Sequence, residues 1–367
     1  MALAAANARG VTRAMTDLLQ RLGVEVPIIQ APMAGTSTPE MAAAVCNAGA
    51  LGSIAVGAAN SESARAAIEA VAAATNRAFN VNVFCHAPAC GDPEREQAWL
   101  AALSPAFEAF EARPPASLRP IYKSFLEDAA MLRTLLETRP AVVSFHFGLP
   151  GEEAAAALRE AGCVLVATAT NLAEGRAAQR AGMDAIVAQG FEAGGHRGLF
   201  DPGAPDDRLG TLALTRLLVR ELDAPVVCAG GVMDGSGIAA ALALGAVAAQ
   251  LGTAFVGCPE SSADAAHRAA LFGPAAAHTV MTTAISGRPA RCLSNRITAL
   301  GEILDVQPPD YPFAYDAGKA LNAVAKAHGE GGYGAQWAGQ GAPLARALPA
   351  ADLIRVLKSE LRYAMEL

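Results

Sequence analysis

The chain has 367 residues, more than one compact domain usually needs, and 53% of them are hydrophobic against 17% charged. This balance indicates a large core and argues against a disordered protein. The net charge of −7, without a long block of Lys or Arg, argues against binding to nucleic acid or to an anionic membrane.

The seven cysteines predict reduced thiols in a cytoplasmic protein. Their number is odd, they are scattered along the chain, and no secretory signal precedes them. Cys85, His86 and Cys90 briefly resemble metal-ligand spacing, but no second pair completes four ligands. We therefore expect no metal site there.

Two apolar segments could be mistaken for targeting or membrane sequences. Residues 1–23 are rich in Ala and Arg, but Asp17 and helical spacing of apolar residues predict an amphipathic helix before the first strand. The run 235–259 has no charge and is long enough for a membrane span. Its glycines instead predict a buried helix over 237–244 and a buried strand over 247–251.

Short apolar runs, typical of strands buried in a parallel sheet, occur eight times along the chain. They are Pro27–Ala31, Ala50–Ala55, Phe79–Phe84, Ala141–Phe145, Cys163–Thr168, Ala185–Ala188, Pro225–Ala229 and Val247–Leu251. Ala-rich segments of helical length lie between most of them: Pro39–Ala48, Ser61–Ala74, Glu152–Ala161, Leu172–Ala181 and Gly237–Leu244. This alternation, with no GxGxxG after the first strand, predicts an α/β fold whose residues 1–257 form a closed (β/α)₈ TIM barrel.

The composition changes after residue 257. Proline and glycine become frequent, aromatic residues gather between 311 and 337, and strand-like runs disappear. We expect a smaller, mostly helical second domain over 258–345, inserted after strand 8, and a C-terminal helix within 346–367 that completes the barrel.

Glycines at two strand ends predict a phosphate site. Barrel enzymes bind phosphate at the loops after strands 7 and 8, and these read Ala229-Gly230-Gly231 and Gln250-Leu251-Gly252-Thr253. Glycine lets backbone N–H groups approach phosphate oxygens, and Thr253 adds a hydroxyl. Without a neighbouring basic residue or a GxxxxGK[ST] motif, the pattern fits the monophosphate of FMN better than a triphosphate with Mg²⁺.

A histidine follows strand 6 on a glycine-rich loop. His196 comes directly after Gly194 and Gly195, so it is free of packing constraints and can face a cofactor ring. Because an unperturbed imidazole titrates near neutral pH, we predict that His196 acts as a base or as a cationic anchor.

Other polar residues near the strand ends leave alternatives open. His146 either lines the pocket or is a hydrogen-bonded core histidine, and Asn82 contacts a flavin ring or bonds to backbone. Glu192 and Arg197 are expected to form a local ion pair.

Motifs along nearly the whole chain resemble the class I nitronate monooxygenases, also called 2-nitropropane dioxygenases. In the barrel they are QAPMAG at 30–35, NVNVF at 80–84, SFHFG at 144–148, QGFEAGGHRG at 189–198, AGGVMDG at 229–235 and QLGTAF at 250–255. In the second domain they are SGRPAR at 286–291, YPFAYDAGK at 311–319 and WAGQG at 337–341.

The resemblance implies FMN as cofactor and a set of site residues. His196 matches the catalytic histidine. Flavin-contacting positions are matched by Ala31, Pro32, Met33, Asn82, Gln189, Gly194, Gly231, Gln250, Gly252 and Thr253. The pocket mouth is matched by Tyr122, Tyr311, Tyr315 and Lys319. His267 stands where the family often has tyrosine.

The implied reaction is oxidation of an alkyl nitronate by O₂, through FMN, to a carbonyl compound and nitrite. Propionate 3-nitronate is one implied substrate, with Lys319 or Arg197 as the cation for its carboxylate. The alternative is an FMN-dependent NAD(P)H:quinone or enoyl-thioester reductase, since these share the AGGH-type loop. We expect a monomer or homodimer without nucleic-acid or membrane partners.

Overall fold

In the computed structural model, which describes residues 18–366, eight parallel strands close into a barrel. They are β1 (Ile28–Gln30), β2 (Gly52–Ala55), β3 (Phe79–Phe84), β4 (Val142–His146), β5 (Val164–Ala169), β6 (Ala185–Gln189), β8 (Val226–Ala229) and β9 (Ala248–Leu251). Neighbouring strands pair in chain order, and β9 pairs with β1. The last gap closes where Gln30 N–H donates to Leu51 O at 2.9 Å and Leu51 N–H to Ile28 O at 3.0 Å.

Helices surround this barrel and extend beyond it. They are α1 (Pro39–Asn47), α2 (Ser61–Ala74), α3 (Pro93–Glu108), α4 (Ala129–Thr138), α5 (Glu152–Glu160), α6 (Leu172–Arg180), α7 (Thr211–Glu221), α8 (Gly235–Ala243), α9 (Thr253–Val256), α10 (Ala265–Leu271), α11 (Arg296–Ile303), α12 (Phe313–Ala327) and α13 (Ala350–Glu366). Side-chain caps explain several helix starts. Asn60 accepts from Ser63 N–H, and Asp234 accepts from Gly237 N–H at 2.8 Å.

The predicted barrel is confirmed, with each strand found within two residues of its predicted bounds. The run 235–259 folds as α8, β9 and α9, and none of the helices within 18–366 is both long and apolar enough to span a bilayer. The predicted N-terminal amphipathic helix lies mostly outside the described residues. Its described part, residues 18–21, is helical.

The region after residue 257, predicted to be mostly helical, also contains two strands that were not predicted. β10 (Thr279–Thr282) and β11 (Ala290–Leu293) pair antiparallel, and β7 (Gly195–His196) joins β11 as a third strand. These strands are too short to stand out in the sequence, and they are stabilised by pairing between distant segments.

We call the region after residue 257 the second lobe. Its core also includes a helix from the barrel half of the chain. Trp99 and Phe107 of α3 share an apolar cluster with Phe313 and Leu321 of α12. The division at residue 257 remains a prediction, but the core of this lobe draws on the β3–β4 connection. At the other end of the chain, α13 packs against α8 and α1.

Candidate active site

A cavity of about 620 Å³ lies at the carboxyl ends of the barrel strands, beneath the second lobe. Such concave sites are where barrel enzymes bind their ligands. Nearly all residues singled out from the sequence line it: Ala31, Pro32, Met33, Asn82, Tyr122, His146, Gln189, Gly194, Gly195, His196, Gly230, Gly231, Gln250, Gly252, Thr253, Tyr311, Tyr315 and Lys319.

Leu251 is the exception among the predicted cofactor contacts. Its side chain is 1% exposed and packs in the apolar cluster that includes α8 and α13, and its carbonyl accepts from Ala31 N–H at 2.8 Å. Successive strand side chains point to opposite faces. Since Gln250 faces the cavity, Leu251 must face the helices.

The two predicted phosphate loops line the cavity with glycines, whose backbone is not covered by a side chain. Gly230 and Gly231 have φ of +120° and +70°, in the region that favours glycine. A Cβ on Gly230 would lie 2.7 Å from Thr211 Oγ1, whereas one on Gly252 would meet nothing closer than 3.5 Å. Gly230, Gly231, Gly252 and Thr253 all line the cavity, so exposed backbone and one hydroxyl are available to an anionic phosphate.

His196 is held by the second lobe as well as by the barrel. Its backbone pairs with Ala290 of β11, and its Nε2 lies 2.8 Å from Ser286 Oγ. Aromatic rings surround the imidazole, with centroid distances of 5.0 Å to Trp337 and 5.6 Å to Tyr311. These contacts orient a side chain that the sequence placed only on a loop.

Three histidines line the cavity, and two of them, His146 and His196, lie close together and favour the neutral form. Burial, followed by the charges of His146 and Arg288, lowers the pKa of His196 to about 3. Burial lowers the pKa of His146 to about 4, although the bond to the His196 carbonyl opposes this shift. A neutral His196 is suited to accept a proton, while the predicted cationic anchor requires a bound anion to stabilise the imidazolium.

His146 fits both of its alternatives, while Asn82 makes the predicted backbone bond, donating to Ser144 O at 3.1 Å, and its contact with a flavin ring stays a prediction. His146 lines the cavity, and its Nε2 lies 3.2 Å from His196 O, which requires the N–H on that nitrogen. Asn82 lines the cavity while its Nδ2 donates to Ser144 Oγ at 2.9 Å. Their hydrogen bonds therefore place these side chains firmly in the cavity wall.

Gln189 braces the loop that carries His196. Its Nε2 donates to His196 O at 3.0 Å, and its Oε1 accepts from Gly198 N–H at 2.7 Å. This side chain therefore positions the histidine from the strand side, in addition to lining the cavity.

Three tyrosines and one lysine form the wall opposite the strand ends. The ring of Tyr122 lies 6.1 Å from that of Tyr311 and 5.7 Å from that of Tyr315. Lys319 Nζ lies 4.9 Å from the Tyr122 ring centroid and 5.4 Å from that of Tyr315. Burial raises the pKa of Tyr122 to about 12 and lowers that of Lys319, which Asp316 partly opposes. The phenols are neutral at pH 7, and Lys319 provides a cation at the cavity.

The expected ion pair between Glu192 and Arg197 is wrong. Arg197 is 2% exposed and pairs with Asp206 at 2.9 and 3.0 Å, away from the cavity lining. Glu192 instead accepts from the N–H and Oγ1–H of Thr211, each at 2.8 Å, at the start of α7. Arg197 is therefore not available to bind a substrate carboxylate.

The Cys85–Cys90 segment does not bring its candidate ligands together. Cys85 is buried and Cys90 is exposed, while His86 Nδ1 lies 2.9 Å from Ala87 O. No group of three or more potential metal ligands converges anywhere in residues 18–366.

Sequence reasoning missed Ser286 and Arg288, although both lie in the quoted SGRPAR motif. Ser286 is fully buried against His196, and Arg288 lies behind Phe147 at the cavity wall. Their position depends on the β10–β11 hairpin, whose strands were not predicted. The motif itself was the only available signal.

A closed α/β barrel with a half-buried histidine in a strand-end cavity is an enzyme architecture. The sequence profile of nitronate monooxygenase matches residues 15–360, so the chain belongs to the nitronate monooxygenase family. A nitronate monooxygenase of Paraburkholderia phytofirmans is 61% identical over 95% of this chain and 96% of its own length. One from Pseudomonas aeruginosa is 56% identical over 95% of this chain and its whole length.

Solved structures show the same fold. A nitroalkane oxidase from Streptomyces ansochromogenes has a TM-score of 0.88 and 40% identity, covering 96% of this chain and 99% of that one. FabK from Thermotoga maritima has a TM-score of 0.72 and 28% identity, covering 96% of each chain. Both the TM-score and the sequence identity are higher for the nitroalkane oxidase than for FabK.

Proposed function

We propose that the protein is an FMN-dependent nitronate monooxygenase that converts small alkyl nitronates and O₂ into carbonyl compounds and nitrite. Two nitronates and one O₂ balance two carbonyl products and two nitrite ions. The proposal rests on one observation: His196 lines the same cavity as the two glycine loops, at Gly230–Gly231 and Gly252. Family membership and the nitroalkane oxidase likeness support it.

FMN fits the residues at this end of the cavity. The backbone at Gly230, Gly231 and Gly252, with the hydroxyl of Thr253, would hold the phosphate. The amide side chain of Gln250 would face the polar edge of the flavin ring. When bound, FMN supplies the electron acceptor for the oxidation.

The residues around His196 position the substrate and control its protonation. A nitronate is already deprotonated at carbon, so His196 need only hydrogen-bond its oxygens. For a neutral nitroalkane, the neutral imidazole would remove the α-proton, since the lowered pKa of His196 leaves it unprotonated at pH 7. The rings of Trp337, Tyr311 and Tyr315 limit water around the reacting carbon.

Lys319 makes a carboxylated nitronate, such as propionate 3-nitronate, the favoured substrate. Lys319 lines the cavity on the tyrosine wall, whereas Lys326, which also lines it, pairs with Asp264, and Arg197 pairs with Asp206. Cytoplasmic location, a monomeric or homodimeric state, and the lack of nucleic-acid or membrane partners remain predictions.

Oxygen uptake by the FMN-loaded protein with propionate 3-nitronate, with nitrite measured in parallel, tests the proposal. We expect uptake with nitrite release and no NADH consumption. In His196→Asn, turnover of nitroethane, which must lose its α-proton, should fall by about 100-fold or more while flavin content is kept. Flavin reduction by NADH without nitronate turnover would instead assign the reductase activity.

A further inference from the structure

Arg288 carries a buried positive charge behind the wall of the active-site cavity. It lies between β10 and β11, is 4% exposed, and its guanidinium carbon is 4.3 Å from the ring centroid of Phe147. One terminal nitrogen donates to Leu199 O, while Nε has no hydrogen-bond partner. The group is thus held by one backbone bond and one aromatic face.

Within residues 18–366, no carboxylate oxygen lies within 4.0 Å of a guanidinium nitrogen of Arg288, so no ion pair forms there. Tyr311 and the carboxylates of Glu174 and Asp201 influence Arg288 without forming an ion pair with it. The oxygens of Glu174 are occupied by Thr170 and by Phe200 N–H. Buried cations are usually paired, because desolvating a charge is costly. The charge of Arg288 is therefore left to act on its surroundings.

Phe147 packs against this charge and against two of the histidines that line the cavity. Its ring centroid is 4.5 Å from that of His146 and 5.5 Å from that of His196. Its φ of +70° is unusual for a bulky side chain, and such strain persists where the surrounding structure requires it. The guanidinium of Arg288 and the imidazole of His196 thus both pack against the ring of Phe147.

The groups packed around His196 are His146, Ser286, Tyr311, Tyr315 and Trp337. None of them carries a positive charge at neutral pH, because burial favours the neutral imidazole of His146 and the neutral phenols. Lys319 lies on the tyrosine wall. A fixed cation near the reacting centre must come from elsewhere.

We propose that Arg288 is a positioning residue whose permanent charge makes the site selective for the anionic nitronate over the neutral nitroalkane. This inference rests on the proposed function and assigns it a source of charge selectivity. Because an arginine stays protonated at working pH, the selectivity would not depend on the protonation of His196.

The geometry sets the size of the effect. The two distances to the Phe147 centroid place the guanidinium within about 10 Å of the His196 ring, where a unit charge changes an anion's affinity roughly tenfold at an effective dielectric of about 20. A neutral nitroalkane would gain almost nothing from the same charge.

The test compares Arg288→Met with Arg288→Lys in the FMN-loaded protein. The first readout is the ratio of kcat/KM for ethylnitronate to that for nitroethane. The second is the calorimetric Kd for nitrate, a planar and unreactive anion shaped like a nitronate. We expect Arg288→Met to lower the ratio and weaken nitrate binding about tenfold, and Arg288→Lys to keep both near wild type.

Arg291→Met is the matched control, since Arg291 is also buried and its guanidinium lies 4.8 Å from the ring centroid of Phe191. Equal effects in both methionine variants, or unchanged nitrate affinity in Arg288→Met, would overturn the proposal. If Arg288→Met does not fold, Arg288→Gln keeps a donor for Leu199 O and replaces it. Wild-type protein that binds nitrate through Arg288 but does not turn over nitronates would refute the proposed function alone.

Discussion

Removing the partner of a buried cation should lower the free energy of unfolding of this protein more than removing one partner of an exposed ion pair. Asp206→Ala deletes the carboxylate that binds Arg197 at 2.9 and 3.0 Å. The Arg197 guanidinium would then remain in a site where it is 2% exposed. Breaking such pairs typically costs about 3–5 kcal/mol, and we expect about 3 because Asp206 keeps 18% exposure.

The control is Glu221→Ala, which removes a surface pair with Arg176 at 2.8 Å whose side chains are 51% and 38% exposed. Exposed pairs contribute about 0–1 kcal/mol. Urea unfolding of both variants, compared at equal m-values, measures the free energies. Equal losses in the two variants would refute the reasoning from burial.

The pH dependence provides an independent check on Asp206. Burial alone would raise the pKa of its carboxyl, but the hydrogen bonds and charges of Arg197 and Arg208 outweigh it, so the folded pKa lies below the ordinary 3.8. A depressed pKa contributes stability above 3.8 that is lost as pH falls through the folded value. The gap between wild type and Asp206→Ala should therefore be constant near neutrality and close only in strong acid.

Three further outcomes follow from the cavity. The pKa of His196 is lowered to about 3, so kcat/KM for nitroethane should not fall as the pH is lowered through 6.5. A fall at that pH would contradict a neutral imidazole in the free enzyme. Gly194→Ala should abolish flavin binding, since its Cβ would lie 2.4 Å from Gly339 N, and normal FMN content would show that the backbones can separate. Lys319→Met should raise KM about tenfold for propionate 3-nitronate but not for ethylnitronate, and equal changes would remove its carboxylate role.

The barrel could be predicted because its signals are local. Each buried strand is a short apolar run, and several of the following helices carry a side-chain cap, as at Asn60 and Asp234. The strand-end glycines were recognisable for a similar reason, since a backbone at positive φ restricts the residue type at Gly230 and Gly231. Position within the barrel then followed from counting strands.

Pairings between distant segments could not be predicted. The partner of Arg197 is Asp206 and not the adjacent Glu192, because Glu192 is occupied at the start of α7. Leu251 was assigned to the cavity with its neighbours, although alternation along β9 turns it toward the helices. Both errors came from treating closeness in sequence as closeness in space.

The region after residue 257 forms part of the active site and is more than a cover over it. His196 pairs with Ala290 and contacts Ser286, both supplied by the β10–β11 segment. Gly339 N–H donates to Thr253 Oγ1 at 2.9 Å, which connects the second lobe to the end of strand β9. Because the orientation of His196 depends on these contacts, a motion that lifted the β10–β11 segment would also displace the imidazole.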